Sequence, residues 1–454
     1  MSRSSRRLLS TMAAASMLAT LAACGAGGDD GDGGGVSASA DGENEASDIG
    51  ITEDTITLGS HYPLTGVAAP GYSEIPTGVE AYFDCVNQAG GIYDREIEWI
   101  YRDDAYNPTQ TAQVVNQLVL EDEVFAIMGG LGTPTHSAVL EFLNAEGVPD
   151  MFVASGSLLW GAQPDEYPYT FGWQTDYMSE GKIIGQYIAE NFPDANVGLF
   201  LQDDDFGEDG EAGLRQYLSD DQIVAVERYV PGNTNIGPQI AALQAAGADV
   251  VVGFTVPSYT ALSQLAAAQL GFQPEQWFYS NVGSDPALVG RLLNSFSQGA
   301  VSDASLLAGA ITTDYLPTVD ETDNPWVQEF QRIWDECGGE GELTNYRIYG
   351  MSQAYTMVQA LQAAGRNPTR DDFVEIVEQI GEDWQGPGLA PFRYSEESHL
   401  GISGMSLARI TPDGGSEQLT PVLVTDIGDA PIEEYTGEES TPPADAIPEE
   451  EPAG

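Results

Sequence analysis

The sequence predicts an α/β fold built of doubly wound parallel sheets in two lobes. Three observations predict it. First, runs such as Val197-Gly198-Leu199-Phe200-Leu201 and Val250-Val251-Val252 are continuously apolar, which suits strands covered on both faces. Second, such runs alternate with helical patterns along most of the chain. Third, a strand–helix–strand–helix–strand block starts at Thr55 and a similar one starts at Val197. Two such sheets imply two lobes with a cleft between them, and in open α/β sheets a ligand site lies at the carboxyl ends of the strands.

The strands are expected at residues 55–59, 97–101, 124–128, 150–154, 197–201, 223–229, 249–254 and 277–279. Helices are expected at 75–89, 108–120, 135–146, 179–192, 210–219, 237–246, 259–269 and 286–293, then at 325–336, 349–364 and 370–379. Pro108, Pro238, Pro286 and Pro325 fall in first helical turns, where the missing N–H costs nothing.

The ends read differently. Arg3, Arg6 and Arg7 precede an uncharged apolar stretch over 8–23, the pattern of an export signal at 1–23. That stretch ends Leu21-Ala22-Ala23-Cys24, which resembles the bacterial lipobox and implies acylation of Cys24. Residues 24–49, mostly Gly, Asp, Ser and Ala without periodicity, are expected to form a flexible tether. Residues 429–454 are acidic and Pro-rich and are expected to be disordered.

Fifteen basic residues face 71 acidic ones, a formal net charge of −56 at pH 7, so a polyanion such as nucleic acid is repelled. The acidity extends into the folded body. Enzyme signatures are missing: the sequence holds no GxxxxGK[ST], HExxH or GxSxG. The three His (His61, His136, His399) show no ligand spacing, and His136 reads as a first-turn or surface residue. Asp203, Asp204 and Asp205 fail the EF-hand spacing and read as a solvated turn. No catalytic residue, metal site or cofactor is expected.

With Cys24 acylated, Cys85 and Cys337 remain in an oxidising compartment. Cys85 follows Val79, Tyr82 and Phe83 on one helical stripe, and Cys337 follows Val327, Phe330 and Trp334 on another. One expectation is a disulfide closing a loop of about 250 residues and contributing up to about 5 kcal/mol. The other is two separate buried thiols.

Several segments carry a family resemblance. Thr55-Ile56-Thr57-Leu58-Gly59 leads into Pro63-Leu64-Thr65-Gly66, and Asn87-Gln88-Ala89-Gly90-Gly91-Ile92 precedes Arg95-Glu96-Ile97. Asp103 and Asp104 precede Asn107-Pro108, Gly129-Gly130-Leu131-Gly132-Thr133 follows a strand, and Gly147-Val148-Pro149 precedes the next. Phe206-Gly207-Glu208-Asp209-Gly210, Tyr349-Gly350 and Gly386-Pro387-Gly388 follow in order. This series resembles the leucine/isoleucine/valine-binding proteins of ABC importers, with the type I periplasmic-binding fold, over nearly all of residues 51–427. The resemblance implies a three-strand hinge, a first lobe of 50–174 plus 305–385 and a second of 175–304 plus 386–428. Cys85 and Cys337 then share a lobe.

The resemblance also implies site residues. The Gly132-Thr133 loop would grip a ligand carboxylate, although an N-cap alone explains Thr there. Ala154, Ser155, Gly156 and Ser157 would offer a carbonyl and donors to the head group; the bland alternative is an ordinary Ser/Gly loop. Phe206 and Tyr72 would be aromatic lids from the two lobes, against plain packing. Thr255, with Val256, stands where an aromatic often sits and leaves room for a larger ligand. Val282 aligns with the Glu that pairs with the ligand ammonium in amino-acid binders. Either Asp285 or another nearby acid substitutes, or the ligand lacks an α-amine.

The expected function is therefore that of an extracytoplasmic solute-binding lipoprotein. It would bind a branched-chain amino acid or related small polar metabolite (an amino acid, amide or small carboxylate) and deliver it to an ABC permease with a separate ATPase. It would act as a monomer on the outer face of the bacterial membrane, touching that membrane only through its lipid. A ligand sensor of the same fold, or a cleft enzyme, are the alternatives.

Overall fold

A computed structural model describes residues 42–448. The expected export signal, Cys24, the tether up to residue 41 and the last six residues of the tail lie outside the described residues.

The strands are β1 (Thr55–Tyr62), β2 (Glu96–Asp103), β3 (Ala126–Met128), β4 (Asp150–Val153), β5 (Thr170–Gly172), β6 (Val197–Gln202) and β7 (Ile223–Tyr229). They continue with β8 (Val250–Phe254), β9 (Gln276–Tyr279), β10 (Ile311–Asp314), β11 (Gly404–Ile410), β12 (Ser416–Gln418), β13 (Leu423–Val424) and β14 (Glu433–Glu434). The helices are α1 (Ala69–Tyr72), α2 (Ile75–Ala89), α3 (Pro108–Leu120), α4 (Thr133–His136), α5 (Leu140–Ala145), α6 (Tyr177–Asn191) and α7 (Asp205–Leu214). After them come α8 (Gly237–Ala246), α9 (Pro257–Leu270), α10 (Pro286–Phe296), α11 (Pro325–Glu336), α12 (Asn345–Ala363) and α13 (Arg370–Gln379).

Two sheets organise these elements. The first is all parallel, in the order β2-β1-β3-β4-β5. The second runs β14-β13-β11-β10-β9-β8-β6-β7, with β12 beside β11. Its strands β6 to β10 pair in parallel, while β11, β13 and β14 add antiparallel. β6 and β8 are buried along their whole length, as continuous apolar parallel strands must be.

Helices with strong local start signals form at their expected bounds. The Asn107 side chain accepts from the Thr109 and Gln110 N–H groups to open α3, and Thr369 with Asp372 makes a capping box for α13. α7 starts at Asp205 rather than 210, because Asp204 caps it through the Phe206 N–H at 3.1 Å. The expected helix at 135–146 is two short ones, α4 and α5.

The expected lobe boundaries shift. β10 is hydrogen-bonded between β9 and β11, so residues 305–314 go with the second sheet and not the first lobe. Residues 386–402 mostly go the other way. The Tyr394 hydroxyl donates to the Gly172 carbonyl at 2.6 Å, the Gly172 N–H donates to the His399 carbonyl at 3.0 Å, and the His399 ring stacks on Phe171.

The tail departs from disorder as far as residue 448. β14 pairs with β13, and Lys182, the only Lys of the chain, donates to the carbonyls of Asp426, Gly428 and Ala430. Farther on, the Tyr82 hydroxyl donates to the Ala446 carbonyl at 2.6 Å and the Gln362 amide to the Pro448 carbonyl at 2.8 Å. Side-chain donors on the body satisfy the backbone of a segment too polar to form a core of its own. At the other end, the Asn44 amide donates to the Tyr93 carbonyl and the Ser47 hydroxyl to the Pro368 carbonyl, so the tether is packed from residue 44 on.

Cys85 and Cys337 are joined as a disulfide, with Cα atoms 5.2 Å apart. It ties α2 to the end of α11. Among the described residues no helix is long and apolar enough to cross a membrane.

Candidate functional site

A cavity of about 290 Å³ opens at the carboxyl ends of both sheets. Tyr72, Tyr106, Leu131, Gly132, Thr133 and Ala154 line it from loops after β1, β2, β3 and β4. Phe206, Val256, Val282, Asp285 and Asp314 line it from the ends of β6, β8, β9 and β10. The strand order therefore places the cavity where parallel strands end and the loops beyond them diverge.

Gly132 opens α4 with φ 101° and ψ 138°. A side chain there would be strained, and a Cβ would sit 2.5 Å from both Thr135 Oγ1 and the Tyr106 ring. The next residue, Thr133, pairs its Oγ1 with Ser155 Oγ at 2.8 Å, and both side chains are buried. Ser155 is delivered by an unusual strand end: Phe152 has φ 59° and the β4–β5 register shifts there. A left-handed bulky residue costs roughly 1–3 kcal/mol and re-aims the residues after it.

The expected site residues separate. Tyr72, Gly132, Thr133, Ala154, Phe206, Val282 and Asp285 line the cavity, and Ser155 stands behind Thr133. Besides Ser155, three more do not reach it. The Gly156 carbonyl accepts from the Tyr177 N–H at 2.8 Å, and Ser157 caps the short turn at Leu158–Trp160. Thr255 bonds the Thr260 hydroxyl at 2.6 Å, and its neighbour Val256 lines the cavity in its place. The Ser157 and Thr255 hydroxyls and the Gly156 carbonyl are each consumed by local bonds.

The wall also holds residues that sequence reasoning passed over: Tyr106, Tyr177, Tyr315, Tyr346, Tyr349 and Asp314. Asp314 ends and Tyr315 follows the short strand Ile311-Thr312-Thr313-Asp314, whose polar side chains hide its strand character. Burial pushes the Asp314 carboxyl up to about 7, with the charges of Glu321 and Asp285 adding to the rise. Burial also raises the Asp285 carboxyl, against bonds from the Leu288 N–H at 2.7 Å and the Asn345 amide at 2.8 Å. Glu180 on α6 lies fully buried behind this wall. It accepts from the Ser280 hydroxyl, the Asn281 N–H and the Thr313 hydroxyl, and so holds the end of β9 against β10.

Bonds cross the cleft. The Tyr72 hydroxyl donates to the Val282 carbonyl at 3.2 Å, the Ser258 hydroxyl to the Val67 carbonyl at 2.7 Å, and the Leu158 N–H to Asp209 Oδ2 at 2.9 Å. This is a closed arrangement of the two halves.

The sequence model of a periplasmic binding protein family matches residues 55–416. The chain belongs to this family. Among curated relatives, Leu/Ile/Val-binding protein homolog 2 of Brucella abortus (strain 2308) is 26% identical over 358 residues, covering 74% of this chain and 89% of that protein. Two solved structures share the fold of this periplasmic binding protein. A fatty acid ABC transporter substrate-binding protein from Thermomonospora curvata aligns with TM-score 0.70 at 20% identity, covering 84% of this chain and 95% of that one. A branched chain amino acid ABC transporter protein from Thermus thermophilus with bound valine aligns with TM-score 0.68 at 17% identity, covering 82% and 97%. Membership in the family implies an extracytoplasmic, solute-binding protein.

Proposed function

We propose that this chain is the solute-binding component of an ABC importer, anchored outside the membrane by a lipid on Cys24 and acting as a monomer. It binds a small polar metabolite between its two halves and passes it to a separate permease. The observation that carries this reading is the cavity at the carboxyl ends of the parallel strands of both sheets, with the Thr133–Ser155 hydroxyl pair on one side and hydrogen bonds crossing the cleft. Ligand contacts made with both halves favour the closed form over the open one, and that differential affinity is what a permease can read.

The absence of the family's acidic partner at Val282 favours ligands other than an ordinary α-amino acid, because an ammonium buried beside Val282 finds no counter-charge there. A relative named for leucine, isoleucine and valine, and a fold neighbour named for fatty acids, bracket the ligand sizes to be tried. The test is a thermal-shift screen over amino acids, amides and small carboxylates, and then titration calorimetry. A true ligand raises the melting temperature by mass action. Thr133→Ala combined with Ser155→Ala is expected to weaken its binding by at least about tenfold. Full affinity in the double variant would remove these residues from the site.

A further inference from the structure

The cavity has two chemically different ends. Phe206, Val256, Val282 and Asp314 follow β6, β8, β9 and β10, which lie side by side in that order. Three interstrand spacings of about 4.8 Å put the end of β6, before Phe206, and the end of β10, at Asp314, roughly 14 Å apart. Thr133 belongs to the Phe206 end. Tyr177, whose ring centroid is 4.4 Å from that of Phe206, packs against Thr133 and Ser155, and Tyr106 on the same wall accepts from Gln202 at the end of β6.

At the Thr133 end the lining is Tyr106, Leu131, Thr133, Tyr177 and Phe206, with no acidic or basic side chain among them, and Tyr72 lies between the ends, its hydroxyl on the Val282 carbonyl and its ring 5.8 Å from that of Tyr346. The acids are at the other end. There Asp285 is engaged as a helix cap and by Asn345, whereas Asp314 has one long contact, from the Asn281 amide at 3.4 Å. Tyr315, beside it, is only 5% exposed and lines the cavity, and among the described residues its hydroxyl has no hydrogen-bond partner. Tyr346 and Tyr349 add two more rings to this end. The one basic lining residue, Arg291, lies 3.8 Å from Glu74.

A carboxylate with an open coordination side, an unpartnered hydroxyl facing the cavity and several aromatic faces make a seat for an organic cation. An α-amino acid held at Thr133 cannot reach it, because its two charges are adjacent. We propose that the cavity takes an elongated ligand with its polar head at Thr133 and a distal protonated amine against Asp314 and Tyr315. This deepens the solute-binding reading above and rests on it. Allowing a contact distance of about 3 Å at each end, the span leaves roughly 8 Å between head and amine, which an extended six-carbon ω-amino acid fills. Such an amine would also lower the raised Asp314 carboxyl and drive a proton out on binding near neutral pH.

The test is calorimetry of the full chain with 6-aminohexanoate, hexanoate and L-leucine, repeated for Asp314→Asn and for the Thr133→Ala, Ser155→Ala double variant. The expected result is roughly tenfold tighter binding of 6-aminohexanoate than of hexanoate. Asp314→Asn should bring the two affinities together, and the heat should vary with buffer ionisation enthalpy only for the amine in the Asp314 protein. Equal affinity of the two acids for the natural chain, a gain that survives Asp314→Asn, or binding of neither compound overturns the proposal. If L-leucine binds tightest and depends on Thr133 and Ser155 but not on Asp314, the amine seat fails while the solute-binding site stands. Undiminished binding of every compound by the double variant overturns that site instead.

Discussion

His61 Nε2 lies 2.9 Å from His136 Nδ1, and a carboxylate closes the pair at each end. Asp104 Oδ2 is 2.8 Å from His61 Nδ1, and Asp150 Oδ2 is 2.9 Å from His136 Nε2. All four side chains are fully buried. The Thr111 and Thr170 hydroxyls donate to the outer carboxylates. Each of the three gaps along this line holds at most one proton, because two would set two donors face to face. Burial holds the His61 imidazole below its ordinary 6.5, with the Asp104 hydrogen bond opposing that shift.

This fixes the sign of the pH effect. A His with a depressed pKa contributes stability that is complete above 6.5 and is lost as the pH falls below it, because the unfolded chain then binds the extra proton. Melting temperature is expected to decline between pH 6.5 and 5, and His61→Asn should flatten that limb while lowering stability at pH 7.5. A limb of the same slope in both proteins would dissociate it from His61. Replacing His136 by Ala strands the Asp150 carboxylate in the core and is expected to cost about 3–5 kcal/mol in denaturant unfolding.

The histidine pair also touches the ligand loop. A Cβ on Gly130 would lie 2.4 Å from His136 Nδ1 and 2.8 Å from His61 Nε2. Gly130→Ala should therefore displace either the loop that carries Thr133 or the pair itself. The expected outcome is a loss of about 1–3 kcal/mol in stability, as for other overpacked sites, with weaker ligand binding than in the natural chain. Unchanged unfolding and affinity would show that the loop yields freely.

The Cys85–Cys337 bond spans 252 residues of sequence. In the chain-entropy account, removing it by Cys85→Ser with Cys337→Ser costs up to about 5 kcal/mol through the unfolded state. Equilibrium unfolding with and without reductant measures this, and the reductant should have no effect on the double variant.

Asp209 on α7 accepts the Leu158 N–H across the cleft, and burial pushes its carboxyl up to about 7, with Asp205 and Asp176 adding to the rise. A carboxyl raised in the folded state binds more protons than in the unfolded chain, so its contribution weakens as the pH rises from about 4 towards 7. Asp209→Asn should remove that slope and gain relative stability at pH 8. A variant that loses more stability at pH 8 than at pH 4 would mean that the ionised carboxylate is the better acceptor for Leu158.

The α/β alternation, both apolar strand sets and helices such as 108–120 and 370–379 are legible in sequence because their causes are local: Pro in a first turn, an Asn or Thr cap, an uninterrupted apolar run. The Gly132-Thr133 loop and Phe206 are reachable through ordered family segments. β5 and β10 are not legible, since three or four residues such as Ile311-Thr312-Thr313-Asp314 become a strand only when neighbouring strands supply hydrogen bonds. That pairing is what brings Asp314 and Tyr315 to the cavity. His136, expected in a first turn or at the surface, is in the core, because His61, 75 residues earlier, and Asp150 on a neighbouring strand satisfy both its nitrogens. Periodicity and caps act within a few residues and so determined the elements. Which buried polar groups find partners is decided between strands far apart in the chain, and only the tertiary structure settled it.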